Sequence, residues 1–187
     1  MKSLKNRTIV GIDYSLTSPA VCVIENDKLN FYYLTNKKKY IGQMSKNIIG
    51  YEHEEYDDPI ERFTHISNFV LDILSKIKSP QIFIEGYSFG SKGQGLFQIA
   101  ENCGILKYRI LSEYKLAYET CVPTVVKKFA TGKGNADKDM VYEAFVKETG
   151  IDLKKIFDTE KVGNPVSDIA DSYFIAKCGY EDFTGKK

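Results

Sequence analysis

Two short apolar runs in this chain close on an acid: TIVGI (residues 8–12) is followed by Asp13, and QIFI (residues 81–84) by Glu85. Runs of four or five β-branched and aromatic residues have the length and make-up of buried strands. A carboxylate that ends such a run sits where burial is expensive, so a fold that keeps both acids must give them something to interact with. That favours architectures in which strand ends gather at one sheet edge, where open α/β sheets bind their ligands.

The intervening pattern supplies the rest of such a sheet. Ser18-Pro19 marks a turn, AVCVIEN (20–26) resumes the strand pattern, and LNFYYLT (29–35) follows the turn residues Asn26 and Asp27. Together these predict an antiparallel meander of three strands. Residues 36–57, which open on Lys37, Lys38 and Lys39, carry no clear period and are assigned no element; the three lysines read as a solvated turn. Asp58-Pro59 is a helix start. Ile60, Phe63, Ile66, Phe69 or Val70, Ile73 and Ile77 continue it as one apolar stripe up to Ser79-Pro80. A strand at 81–85, a glycine-rich loop at 86–95, a helix at 96–112 and a strand at 116–121 come next. Pro123 begins a short helix, TGKGNA is a loop, residues 137–149 form a helix stopped by Gly150, and a last helix starts near Ser167. The order predicts an α/β fold with a mixed five-stranded sheet, antiparallel meander plus parallel strands, and helices on both faces. At 187 residues the expectation is a single domain over 1–187.

Charge and cysteine content exclude little but direct the reading. The net charge is +1, so the whole-molecule balance does not point to a polyanion; the local distribution of lysines matters more. The four cysteines, Cys22, Cys103, Cys121 and Cys178, are scattered without a CxxC pair, which argues against structural zinc and for a reducing compartment. The first residues pass from a basic patch straight into a strand, with no apolar stretch of signal-peptide or membrane-spanning length. A cytoplasmic protein without a membrane association is expected.

Near the other end, PVSDIADSYFIA places Asp168 and Asp171 three positions apart, on one face of the last helix. Taken singly, each acid has an ordinary explanation. Asp13 can cap a turn, and acids near a helix start favour its dipole. Jointly they suggest more. If the last helix crosses the sheet at the edge where Asp13 and Glu85 end their strands, four carboxylates converge and repel unless cations neutralise them. An oxygen-only cluster suits Mg²⁺. Two such ions about 4 Å apart can activate a water and stabilise the leaving oxygen of a phosphodiester. Lys127, Lys128, Lys133 and Lys138 surround the GKG loop and fit a phosphate-contacting surface. GYSFGSKGQG lacks the GK[ST] ending of a P-loop, so no nucleotide cofactor is expected there.

The segments GIDYSLTSPAVCVI, IFIEGYSF, ENCGILKYRI, VPTVVKKFATGKGNADKDMVYEAF and PVSDIADSYFIA, in this order, resemble the RuvC family of Holliday junction resolvases over residues 8–178. The most specific parts are PTVVKKFATGKGNADK and the DxxD pair. The resemblance implies an RNase H-like fold, two Mg²⁺ ions per site (Mn²⁺ able to substitute), and hydrolysis of branched DNA by a homodimer, in a bacterial cell or from a phage. It implies that Asp13, Glu85, Asp168 and Asp171 are the metal ligands and catalytic acids, and that Lys127 and Lys138 contact DNA backbone, with Lys133 on the loop between them. An aromatic shortly after the glutamate acts as a wedge at the junction centre in that family; here Tyr87 and Phe89 are both candidates, and the spacing departs by a residue. Residues 36–57 are a second departure.

Two other functions fit parts of the pattern. The same metal chemistry cuts any phosphodiester, so a nuclease of flaps, forks or RNA keeps the site and changes the substrate. GIDYS also resembles the first phosphate loop of actin–hexokinase proteins, but those need two related lobes, and no second copy is present in these 187 residues.

Overall fold

The computed structural model describes residues 7–87 and 94–185. Its strands are β1 (Thr8–Asp13), β2 (Ala20–Glu25), β3 (Lys28–Thr35), β4 (Gly42–Ser45), β5 (Ile48–Glu52), β6 (Gln81–Glu85) and β7 (Tyr118–Cys121). They form one sheet in the order β4-β5-β3-β2-β1-β6-β7. The meander is antiparallel, and β6 and β7 extend it in parallel from β1. Asn26 and Asp27 both take positive φ, 49° and 61°, between the paired ends Glu25 and Lys28, as a two-residue hairpin matched to strand twist requires.

The sheet has seven strands where five were expected, and the two extra ones come from the segment left unassigned. β5 pairs in parallel with β3, and β4 folds back antiparallel on β5 with a register shift between Gln43 and Ser45. Side-chain and backbone bonds fix the turn before β5: Asn47 Nδ2 donates to the Leu29 carbonyl at 2.7 Å, and Phe31 N donates to the Asn47 carbonyl at 2.8 Å.

Helices cover both faces. α1 (Pro59–Leu74) and α2 (Gln94–Ser112) cover one, packing Ile66, Val70, Leu74, Cys103, Leu106 and Ile110 against Val10, Ile12, Val21, Ile82 and Ile84. On the other lie α3 (Pro123–Thr131), α4 (Lys138–Thr149), the one-turn α5 (Leu153–Ile156) and α6 (Val166–Gly185), whose Val126, Phe145, Leu153, Ile169 and Phe174 meet Ile9, Cys22, Phe31 and Phe83. Each such side chain, taken wholly out of water, contributes about 1.5–3 kcal/mol before chain entropy is counted. Asp58 caps α1 as expected, accepting from Ile60 N at 2.7 Å and Glu61 N at 3.1 Å. The helix ends at Leu74, short of Ile77: Lys76 and Ile77 donate to carbonyls only three residues back, tightening the last turn. Ile60 is exposed rather than part of the stripe.

Two glycines set how close α6 lies to the sheet. A Cβ on Gly11 would collide with the Ser172 carbonyl and the Ala176 amide, so helix backbone rests directly on β1. A Cβ on Gly179 would collide with the Phe83 ring of β6 and the Cys121 sulfur of β7. The last helix is thereby seated across β1, β6 and β7.

Candidate active site

Strand register brings the first two acids together. Ile12 of β1 is paired with Ile84 of β6, so Asp13 and Glu85 are the next residues on adjacent parallel strands. Side chains alternate between faces. Asp13 therefore shares the face of Ile9 and Gly11, and Glu85 that of Phe83, which is the face α6 covers. On α6, Asp168 lies one turn before Ser172, the residue against Gly11, which places it above the end of β1. Asp171 sits beside it. Asp13 and Asp168 are buried; Glu85 and Asp171 are half-buried.

The four carboxylates share one electrostatic field. Burial, then Glu85, Asp168 and Asp171 in turn, hold the Asp13 carboxyl well above its ordinary range, against a smaller opposing pull from Lys138. Burial and then Asp171 push Glu85 up to about 7, eased by Lys127. Burial and then Asp168 push Asp171 up to about 6, eased by Lys138 and Lys127. Burial raises Asp168 as well, opposed by the Ser18 and Ser167 hydroxyls and by Lys138 and Lys37. Lys138 Nζ donates to Ser167 Oγ at 3.3 Å, which donates to Asp168 Oδ1 at 3.1 Å. Asp168 Oδ2 is buried with no hydrogen-bond partner.

A buried, unpartnered carboxylate oxygen among three further acids fits a hard divalent cation, which takes oxygen ligands and offsets repulsion. Among the described residues no group of three or more acids, histidines or cysteines is arranged closely enough to hold a metal ion. Were an ion to bind at this edge, Asp13, Glu85, Asp168 and Asp171 are the carboxylates that would meet it.

The remaining predicted positions are distributed around this edge. Lys127, half-buried on α3, and Lys138, exposed at the start of α4, both act on the acids; Lys133 is exposed on the loop between those helices. Tyr87 is 42% exposed, with the Lys107 ammonium 4.9 Å from its ring centre. Phe89 lies outside the described residues. Five further residues bear on the site without having been read from the sequence as part of it. Lys37, assigned to a solvated turn, donates to the Asn164 carbonyl at 2.6 Å and acts on Asp168. Ser18 Oγ donates to the Leu34 carbonyl at 3.1 Å, and its hydroxyl lies near enough to Asp168 to lower that carboxyl. His53 and Arg62 meet on the Leu16 carbonyl, three residues past Asp13. Only Ser167, next to Asp168 in sequence, had a local cue. The others meet the site through the fold.

No family model matches the sequence, and no curated protein does. Solved structures do. RuvC of Thermus thermophilus is 17% identical and aligns over 95% of this chain and 96% of its own, with a TM-score of 0.57. The same protein in complex with a Holliday junction substrate, again at 17% identity, aligns over 96% and 97% with a TM-score of 0.64. The fold is that of RuvC. The yeast mitochondrial Holliday junction resolvase Ydc2, 16% identical, aligns over 97% of this chain and 85% of its own with a TM-score of 0.51. The resemblance read from sequence segments thus holds for the RuvC frame along nearly the full length of the chain. Among the described residues no helix is long and apolar enough to cross a membrane.

Proposed function

We propose that this protein is a structure-selective DNA endonuclease that resolves four-way junctions by divalent-metal-dependent phosphodiester hydrolysis. One observation carries the reading: carboxylates from two strand ends and one helix face are all raised by burial, three of them also by their acidic neighbours, and one buried oxygen among them has no partner. Asp13, Glu85, Asp168 and Asp171 would hold two Mg²⁺ ions. When bound, such ions supply an activated water and stabilise the leaving oxygen.

The chain's own residues account for the rest. Lys127, Lys133 and Lys138 receive the phosphate backbone and fix its register against the acids. Tyr87, exposed two residues beyond Glu85 and steadied by Lys107, offers a flat face for an unstacked base at the branch point. Paired cuts on a two-fold substrate need two sites related by a two-fold axis, hence a homodimer. Phe97, Tyr108 and Leu111, exposed along one side of α2, are the apolar surface on which a second copy would sit. The fold shared with junction resolvases supports the choice of substrate.

A labelled mobile four-way junction, incubated with and without Mg²⁺ beside forks, flaps and RNA duplexes, tests the reading. Symmetric nicks on the junction alone are expected. Asp13→Asn or Asp168→Asn should lower cleavage by more than about 100-fold, with junction binding retained. Undiminished cutting by either variant would sink the assignment of the acids, and preference for a flap or fork would move the substrate.

A further inference from the structure

Residues 36–57 add a hairpin at the far end of the sheet from β6 and β7, yet both its ends bond to the backbone segments that flank the acids. At its entry, Lys37 Nζ donates to the carbonyl of Asn164 at 2.6 Å, in the turn that leads into α6 and Asp168. At its exit, His53 is buried against the loop that follows Asp13: its Nε2 is 2.9 Å from the Leu16 carbonyl and its Nδ1 3.0 Å from that of Glu54. His53 is itself tied to the sheet by its amide, which donates to the Thr35 carbonyl at 2.9 Å. Arg62, on the first turn of α1 after the hairpin, donates through Nη2 to the same Leu16 carbonyl at 2.6 Å.

These bonds act on the two backbone segments whose position sets the acids. The loop from Tyr14 to Pro19 carries Ser18, buried against Asp168, and its first residue follows Asp13. The neutral imidazole of His53 has one N–H and two carbonyls to serve, so Arg62 is the constant donor on Leu16. A guanidinium bond at 2.6 Å is charge-assisted and stronger than a neutral one.

We propose that the segments flanking the β4–β5 hairpin, from Lys37 before it to Arg62 at the start of α1, brace the acid cluster, with Lys37 and Arg62 as positioning residues acting through the Asn164 and Leu16 carbonyls. The inference rests on the proposed metal-dependent reading of the site, but the brace has its own readout. It touches neither substrate nor reacting atoms; it limits how far Asp13 and Asp168 drift apart under mutual repulsion. Groups that orient ligands from one layer out typically matter by about 10–100-fold in metal affinity or activity.

The test is Mn²⁺ binding by the full chain, followed by electron paramagnetic resonance without DNA, in parallel with junction binding in Ca²⁺ and cleavage in Mg²⁺. Arg62→Ala and Lys37→Ala are each expected to weaken Mn²⁺ about 10-fold or more, to lower kcat, and to leave junction affinity unchanged. Arg62→Lys, which keeps a charged donor, should recover part of the loss. A single substitution at either residue tests the brace even where the double variant does not fold. Mn²⁺ affinity equal to the parent's in both single variants overturns the proposal, and so does Lys37→Ala losing junction affinity alone, which would make Lys37 a DNA contact. If the parent binds Mn²⁺ but cuts no junction, while Arg62→Ala still loses Mn²⁺, the nuclease reading fails and the brace stands.

Discussion

Burial acts on each acid before any neighbour does: desolvation is the largest cause of the raised carboxyl at Asp13, Glu85, Asp168 and Asp171 alike. The sign of the consequence follows from linkage. A carboxyl whose folded pKa exceeds its unfolded value binds its proton more tightly when folded, so it contributes stability below the ordinary carboxylate range and loses it as pH rises through the folded value. With Asp171 at about 6 and Glu85 at about 7, the melting temperature in EDTA should fall between pH 5 and pH 8. Added Mg²⁺ should reverse most of that fall at pH 8, and a flat profile would mean the acids do not interact as described. For the same reason Asp168→Asn, which removes a charge and leaves its neighbours less repelled, should raise the metal-free melting temperature by roughly 2–4 °C per kcal/mol gained while cleavage is lost. Scanning calorimetry in EDTA reads the first effect directly.

At the scale of elements, the contact of α6 with β1 is the most sensitive joint. Helix backbone lies where a side chain on Gly11 would be, so Gly11→Ala must push the helix away or strain the strand. The expected cost is about 1–3 kcal/mol, with Mn²⁺ affinity reduced as well because Asp168 and Asp171 ride on the displaced helix. Gly132, at positive φ just past α3 with nothing near its Cβ position, is the control: its substitution strains a turn and should leave the ions alone. Elements also differed in how plainly their residues announced them. The strands carrying Asp13 and Glu85 are compact apolar runs with acids at their ends, and Asp58 and Asp137 by their carboxylates and Gly150 by its positive φ mark helix ends through chemistry that acts locally. β4 and β5 carry no such marks. GQMS has no β-branched or aromatic residue, and in IIGYE only Ile48 and Gly50 are buried, so their pairing is decided by the open edge of β3 rather than by their own residues. The bonds of Lys37, His53 and Arg62 to distant carbonyls are likewise products of the assembled sheet, which is why a lysine run read as solvent-facing proves to reach Asn164.

For the whole molecule, a net charge of +1 hides a local imbalance. Four acids are collected at one edge, and Lys127, Lys133 and Lys138 stand around them on α3, α4 and their loop. Junction affinity should therefore fall with salt, and replacing the three lysines by glutamine should reduce the log–log slope by about 0.9 for each phosphate contact removed. Fluorescence anisotropy between 50 and 200 mM salt, roughly the range over which such losses are large, would show it; an unchanged slope would move the DNA surface elsewhere. The parts of the cluster are far apart along the chain, Asp13 on the first strand and Asp168 and Asp171 on the last helix. A ribosome that has delivered only the sheet has made half of the acid constellation, with two carboxylates facing an uncovered layer. The order of synthesis therefore leaves the constellation incomplete until α6 settles over β1, so any chemistry that needs all four acids waits for the last helix.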